Sequence, residues 1–492
     1  MNRPIRILAG ASFSLFAVLV AAVTYHQVIV GPEYRDDPRN VRVATSQTGR
    51  ERGVIITADG VVVAESVADP ADPLVFSRTY PEGALYGHTV GYTTLLFGSQ
   101  GIESTHSGDL ISNRDATISG LLSAIFGGDV RPRGLRLTIE HELQTVARET
   151  LGDQRGAIVA LDPSTGAILA MVSTPGFDPN TLTGTDAGPA GTTLEEDSSE
   201  PLLNRATAQA YPPGSTFKVI TTAAALETGV ASAGTPFPNP VELELPGSTA
   251  TISNFDGRAC GSGSEVPLSQ AFTSSCNTIF GMIGMSLGAD QLVGAAESFG
   301  FNTELPIEAR SIESVMPDAA TFEFDVPGLA QSAIGQRDVR ATPLQMALTA
   351  AAVANNGEIM VPYLVQEVFN SEGVVEKSTE PAVWLRAISP ATSTTLTGLM
   401  EGVVTAGTGR RASVPGIRIA GKTGTAEVPD GAPHAWFIGF GPVEPDPGDP
   451  QIAIAVLIES GGDAGEAATG GTVAAPIAQQ ILAEFFGIGQ EE

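Results

Sequence analysis

Tyr211-Pro212-Pro213-Gly214-Ser215-Thr216-Phe217-Lys218 sets a hydroxyl and an amine three residues apart, just ahead of the apolar run Val219 to Leu226. Positions i and i+3 share one face of a helix, so the two side chains can meet. A serine hydroxyl is a weak nucleophile until a neighbour takes its proton, and an unprotonated lysine is able to do so. Pro212, Pro213 and Gly214 give a stiff approach suited to a helix N-terminus. The tetrapeptide S-x-x-K is common by chance, so its meaning depends on the rest of the chain.

Two further stretches supply that context. Ser275-Cys276-Asn277 places a hydroxyl and a carboxamide two residues apart, able to relay a proton and hold a substrate amide. Taken alone it reads equally as a polar helix cap or turn. Lys422-Thr423-Gly424-Thr425 follows the strand-like Ile417 to Gly421. Its lysine and threonine suit an anionic substrate terminus. Gly424, without a Cβ, would let a substrate backbone lie flat along a strand edge. The ordered trio S-x-x-K, S-x-N, K-T-G is the motif set of serine β-lactamases and penicillin-binding proteins.

Bulk properties narrow the setting. The chain has 492 residues, enough for two or three domains with a large core. Its formal charge of −29 repels phosphate backbones, which argues against nucleic acid as a partner. Arg3 and Arg6 precede an uncharged, mostly apolar run from Ile7 to Val23, and Glu33, Asp36 and Asp37 follow it. That run with its flank to Val30 is long enough to cross a bilayer. The positive-inside rule puts residues 1–6 in the cytoplasm and the remainder outside. A cleaved signal peptide is the competing reading, but no small-x-small site with a polar mature start follows the run. Cys260 and Cys276 are the only cysteines. Outside the cytoplasm the pair is able to form a disulfide across a short Gly/Ser-rich loop, with two free thiols as the alternative. No H-E-x-x-H or paired C-x-x-C is present, and the expectation is a protein without metal or cofactor.

Periodicity outlines the elements. Val54 to Ile56, a turn at Asp59-Gly60, and Val61 to Val63 read as a hairpin. Residues 61–130 continue with Gly-rich turns, leaving no segment of the size expected for a glycosyltransferase. After Arg131-Pro132-Arg133-Gly134 come a strand-like Leu135 to Ile139 and a helix over Glu140 to Leu151. Residues 156–163 and 167–173 read as paired strands, 183–201 as an exposed loop, and 216–228, 266–288 and 341–355 as helices. Ile417 to Gly421, His434 to Phe440 and Ile452 to Ile458 read as strands, and Thr472 to Phe486 as a final helix. Strands at both ends with helices between predict one sheet assembled from distant segments.

With these motifs the chain resembles the class B penicillin-binding proteins, and most closely the actinobacterial penicillin-binding protein A type. Arg50-x-Arg52-Gly53 with Asp59-Gly60, and Gly101-Ile102-Glu103, resemble motifs of that family's N-terminal pedestal. Leu137-Thr138-Ile139, Ala157 to Gly166, Phe177-Asp178-Pro179-Asn180, Ser332 to Gln336 and Thr342 to Ala347 resemble its transpeptidase domain. The resemblance implies an α+β fold: an antiparallel sheet with helices on both faces plus an all-helical subdomain. A mostly β pedestal and a transmembrane helix precede it. The implied division is a cytoplasmic tail at 1–6, an anchor at 7–30, a pedestal or dimerisation-like domain at 31–134, and the transpeptidase domain at 135–492.

The resemblance also implies chemistry. A peptidoglycan D,D-transpeptidase cross-links stem peptides through a serine acyl-enzyme formed from D-Ala–D-Ala, and β-lactams acylate the same serine. Ser215 is then the nucleophile and Lys218 its base, with a pKa depressed by burial or by Lys422. Ser275 protonates the departing amine, and Asn277 holds Lys218 and the substrate amide. Lys422 and Thr423 bind the terminal carboxylate, and the N–H groups of Ser215 and Thr425 form the oxyanion hole. Many relatives carry Asp where this chain has Cys276, which sets a thiol beside Ser275; a bridge to Cys260 would brace the cleft wall. Implied partners are stem peptides or lipid-linked precursors, β-lactams, and wall-synthesis or division proteins. Glu195, Glu196 and Glu200 read as solvated surface rather than deacylating groups. Trp436 and His434 read as strand residues, and Tyr211 as either packing or cleft lining. A membrane-anchored β-lactamase or sensor, a D,D-carboxypeptidase and a non-catalytic division scaffold are the alternatives.

Overall fold

The computed structural model describes residues 3–26, 30, 49–111, 131–184, 186–428, 431–443 and 451–488. The start of the expected pedestal (31–48), the last residues of the expected anchor (27–29) and the stretch 112–130 lie outside them. Helix α1 (Arg3–Tyr25) is apolar, buries none of its residues against the protein, and is long enough to cross a membrane. Next come strands β1 (Ile55–Ile56), β2 (Val62–Ala68) and β3 (Phe76–Thr79). The first two pair antiparallel, as the Asp59-Gly60 turn signal predicts.

Strand β4 (Gly134–Leu137) leads into helix α2 (His141–Leu151), then β5 (Gly156–Leu161) and β6 (Ile168–Thr174). Helix α3 (Ala187–Glu196) occupies much of the stretch expected to be an exposed loop. Composition misleads there because packing decides. Leu194 rests on the core, and a Cβ at Gly191 would sit 2.2 Å from the Phe97 ring, so glycine lets the helix approach it. Helix α4 (Lys218–Glu227) follows the nucleophile-bearing turn. The single helix expected over 266–288 is two, α5 (Leu268–Thr273) and α6 (Asn277–Leu287). Ser275 separates them at φ 61°, a left-handed conformation that no helix continues through.

Beyond lie α7 (Pro343–Ala354), β7 (Val365–Phe369), β8 (Val375–Ser378), α8 (Pro390–Thr405), β9 (Ala420–Val428), β10 (Gly431–Gly441), β11 (Ile452–Ile458) and α9 (Ala475–Phe485). The sheet built from distant segments is present: five antiparallel strands in the order β9-β10-β11-β5-β6. Its strands are apolar on both faces because both are covered. Ile452, Ile454, Val456 and Ile458 pack with Ala147, Leu151, Ile481 and Leu482 of α2 and α9. Ala453, Ala455 and Leu457 face the other way, toward Leu344 and Ala347 of α7.

A second sheet runs β8-β7-β4-β1-β2-β3. In it β4 lies parallel to β1, with Ile55 opposite Leu135, and antiparallel to β7. The boundary expected at residues 134/135 therefore falls inside a strand shared by both halves. Beside this sheet Glu103 is fully buried. It accepts from Arg52 Nε at 2.8 Å and Arg78 Nε at 2.5 Å. Burial alone would push its carboxyl up, but the two guanidiniums hold it below the ordinary range.

Candidate active site

The nucleophile turn is assembled by close backbone approaches. Gly214 to Phe217 form a 3₁₀ turn that leads directly into α4 at Lys218. In such a turn i and i+3 eclipse, which aligns Ser215 with Lys218. Gly214 has φ 53°, and a Cβ there would lie 2.8 Å from the Thr425 carbonyl oxygen. The turn is thereby seated against β9. Behind it, Gly335 (φ 73°) accepts the Gly214 N–H at 2.9 Å, and a Cβ on Gly335 would come within 2.1 Å of the Gly214 oxygen. Trp436 Nε1 donates to the Pro212 carbonyl at 2.9 Å.

The residues of the three motifs converge here. Lys218 and Lys422 are fully buried beneath a cleft of about 1480 Å³, whose lining includes Ser215, Ser275, Asn277, Thr423 and Thr425. Lys218 Nζ donates to the Ser275 carbonyl and to Asn277 Oδ1, both at 2.7 Å, and lies 3.4 Å from Ser275 Oγ. Lys422 Nζ donates to Ser275 Oγ at 2.8 Å and to its neighbour's carbonyl at 3.0 Å. Burial, then the charge of Lys422, hold Lys218 well below a lysine's ordinary value. Burial brings Lys422 to about 7. Thr423 and Thr425 face the cleft, whereas Lys422 and Gly424 face inward, as strand alternation requires.

That alternation corrects the expectation for Gly424. A Cβ there would meet the Pro213 carbonyl at 2.8 Å and Thr216 Cγ2 at 3.0 Å. The glycine makes room for the nucleophile turn, not for a substrate backbone.

Cys260 and Cys276 form a disulfide. It ties the middle residue of Ser275-Cys276-Asn277 to the loop that carries Asn254. Asn254 Oδ1 accepts from the N–H groups of Asn277 (2.9 Å) and Thr278 (3.2 Å), capping α6 from outside the helix. Asn277 Nδ2 donates to the Ser253 carbonyl at 3.0 Å. In the sequence Asn254 is one more polar residue of a turn, and nothing local marks it. Thr408 is likewise invisible there, yet its hydroxyl lies 2.6 Å from that of Thr423.

Tyr211 packs rather than lining the cleft. Its ring meets His434 and Trp436 edge-on, and its hydroxyl donates to Glu459. Glu459 also accepts from the buried Arg205 at 2.8 Å. Trp436 is fully buried, and His434 Nδ1 accepts the Ser460 N–H at 3.0 Å. Glu195 and Glu196 are exposed on α3, and Glu200 accepts from Arg155 at 3.4 Å.

A lysine whose pKa is lowered first by burial and then by a neighbouring cation, beside a cleft-facing serine, defines a site for serine acyl transfer. Comparison with known proteins gives the same class. Residues 156–483 match the family described as penicillin binding protein transpeptidase domain. Residues 52–134 match that described as penicillin binding protein A dimerisation domain. The peptidoglycan D,D-transpeptidase PbpA of Mycolicibacterium smegmatis is 41% identical over 98% of this chain and 99% of its own. Its namesake in Mycobacterium tuberculosis is 37% identical over 98% of both chains. Among solved structures, penicillin-binding protein A from M. tuberculosis as a ceftriaxone acyl-enzyme complex superposes with TM-score 0.81 at 37% identity, covering 89% of this chain and 98% of that one. A D,D-transpeptidase domain from Eggerthella lenta gives TM-score 0.78 at 36% identity, covering 89% and 100%. The chain belongs to the penicillin-binding protein transpeptidase family.

Proposed function

We propose that this protein is a peptidoglycan D,D-transpeptidase in which Ser215 forms an acyl-enzyme with the D-Ala–D-Ala end of a stem peptide. The observation that carries the reading is Lys218: fully buried, depressed in pKa, and held by two acceptors. A neutral amine has two N–H groups. The Ser275 carbonyl and Asn277 Oδ1 occupy both, which leaves the lone pair to receive the Ser215 proton.

Ser215 Oγ attacks the penultimate D-Ala carbonyl carbon while its proton passes to Lys218. The N–H groups of Ser215 and Thr425 receive the oxyanion, a contribution of roughly 3 kcal/mol per donor. As the C–N bond breaks, Ser275 gives its proton to the departing D-Ala amine and recovers one from Lys218 across the 3.4 Å contact. Thr423 holds the terminal carboxylate from the cleft side, while the buried Lys422 acts from beneath through its hydrogen bond to Ser275 Oγ. An amine from a second stem peptide then attacks the ester and frees Ser215. Water in that role gives a carboxypeptidase.

β-Lactams, as mimics of the same amide, acylate Ser215 and stay bound, since none of Glu195, Glu196 and Glu200 lines the cleft. Residues 7–30 anchor the chain, 1–6 lie in the cytoplasm, and the pedestal (31–134) and transpeptidase domain (135–492) lie outside. There the pedestal meets other wall-synthesis or division proteins. Fluorescent penicillin is expected to label the wild type and to leave Ser215→Ala unlabelled; equal labelling would overturn the assignment. Rapid loss of label from the wild type would instead favour a β-lactamase.

A further inference from the structure

The cleft wall differs in charge from the rest of the chain. Against a net charge of −29, it carries Arg258, Arg337, Arg340, Arg410 and Arg411, opposed by Asp256 and Glu427. Arg337 is ion-paired with Asp325 at 2.5 Å. Among the described residues the other four arginines form no ion pair with a carboxylate. Arg340 is half-buried, and its Nη1 is fixed by the carbonyls of Arg337 (2.6 Å) and Val339 (2.8 Å). Arg410 and Arg411 are similarly held by the carbonyls of Ala406 and Thr472. Carbonyls orient a guanidinium without neutralising it, and its remaining N–H groups stay available to an anion.

Three of these arginines come from two separate segments of the cleft lining, Arg410 and Arg411 from one and Arg340 from the other. Arg410 and Arg411 follow Thr408, which touches Thr423. Arg340 precedes Ala341, whose N–H and C=O pair with Tyr211. The Tyr211 ring lies 5.4 Å from that of His434, and His434 stands opposite Ala426 on the neighbouring strand. From Thr423 to Ala426 the strand advances about 10 Å at the usual rise per residue. The same span covers about three residues of an extended peptide lying along β9.

We propose that the cleft reads two anionic groups on the donor peptide. The terminal carboxylate lies at the Thr423 end, flanked by Arg410 and Arg411. A second carboxylate, within about three residues of the first, is taken by Arg340. This rests on the transpeptidase reading and adds a substrate requirement to it.

The test compares two donor peptides ending in D-Ala–D-Ala, identical except that the upstream carboxylate is free in one and a primary amide in the other. D-Ala release is followed with no acceptor amine present, so only the donor step is read. A charge-assisted hydrogen bond of this kind gives roughly a ten-fold higher kcat/KM for the acid peptide. Added salt is expected to shrink the preference. Arg340→Gln removes the preference, Arg340→Lys retains part of it, and Arg386→Gln, paired with Glu358 away from the cleft, leaves it intact. Equal use of both peptides by the wild type overturns the proposal, as does a preference that survives in Arg340→Gln or appears only with acceptor present. Penicillin labelling of the wild type reports separately on the serine chemistry, so failure of that chemistry and failure of the second anion site give different results.

Discussion

Lys218 shows how one residue's surroundings set its chemistry. Burial lowers its pKa first, and the Lys422 charge lowers it further. A depressed base loses its function when pH falls through its folded pKa, so penicillin acylation is expected to decline on the acid side. Lys422→Gln removes the second cause. The Lys218 pKa then rises, and the acid limb of the acylation profile moves to higher pH; a limb that stays in place would exclude Lys422 as the perturbing charge. Asn254 makes a complementary case. Asn254→Ala leaves the N–H groups of Asn277 and Thr278 without their acceptor, at a cost of about 1–3 kcal/mol in stability. Acylation is expected to slow with it, because Asn277 positions Lys218; thermal melts and labelling rates check the two effects. The residues of all three motifs are legible in the sequence because their types and order carry the chemistry. Asn254 and Thr408 are not, since each acquires its role only through a contact made by folding.

At the scale of elements, glycine geometry decides how the nucleophile turn meets the sheet. Gly424→Ala forces a methyl within 2.8 Å of the Pro213 carbonyl, a backbone atom with little freedom to yield. Such overpacking typically costs about 1–3 kcal/mol. The expected outcome is a lower melting temperature and slower penicillin acylation, with Lys218 and Lys422 unaltered. The strands of the central sheet are readable from composition because both faces are apolar. The break between α5 and α6 is not, because Ser275 carries no local signal for a left-handed backbone. A packed neighbourhood holds it there: Lys218 and Lys422 on its carbonyl and hydroxyl, and the disulfide at the next residue. Helix α3 escapes sequence reading for a related reason, as its stability comes from Phe97 and the core rather than from its Gly, Thr and Glu content.

Over the whole molecule, the shared six-stranded sheet joins the pedestal to the catalytic half through β4. The buried Arg52–Glu103–Arg78 cluster lies beside that joint. Glu103→Gln leaves two buried guanidiniums without their counter-charge, and breaking buried pairs of this kind costs about 3–5 kcal/mol. Calorimetry is expected to show the loss as an earlier transition, while penicillin labelling of the folded protein at low temperature persists. The motifs at Arg52 and Glu103 are legible separately; their joining in one ion cluster, across fifty residues of chain with Arg78 between, is not. The pairing of Cys260 with Cys276 has a further, practical consequence. With both sulfurs engaged, the native protein offers thiol-reactive probes no target of its own. One cysteine introduced on the pedestal or near α1 can therefore carry a fluorophore or spin label at a single known position. Such work needs reductant-free buffers, because reduction would free two more reactive sulfurs, one of them on the residue next to Ser275.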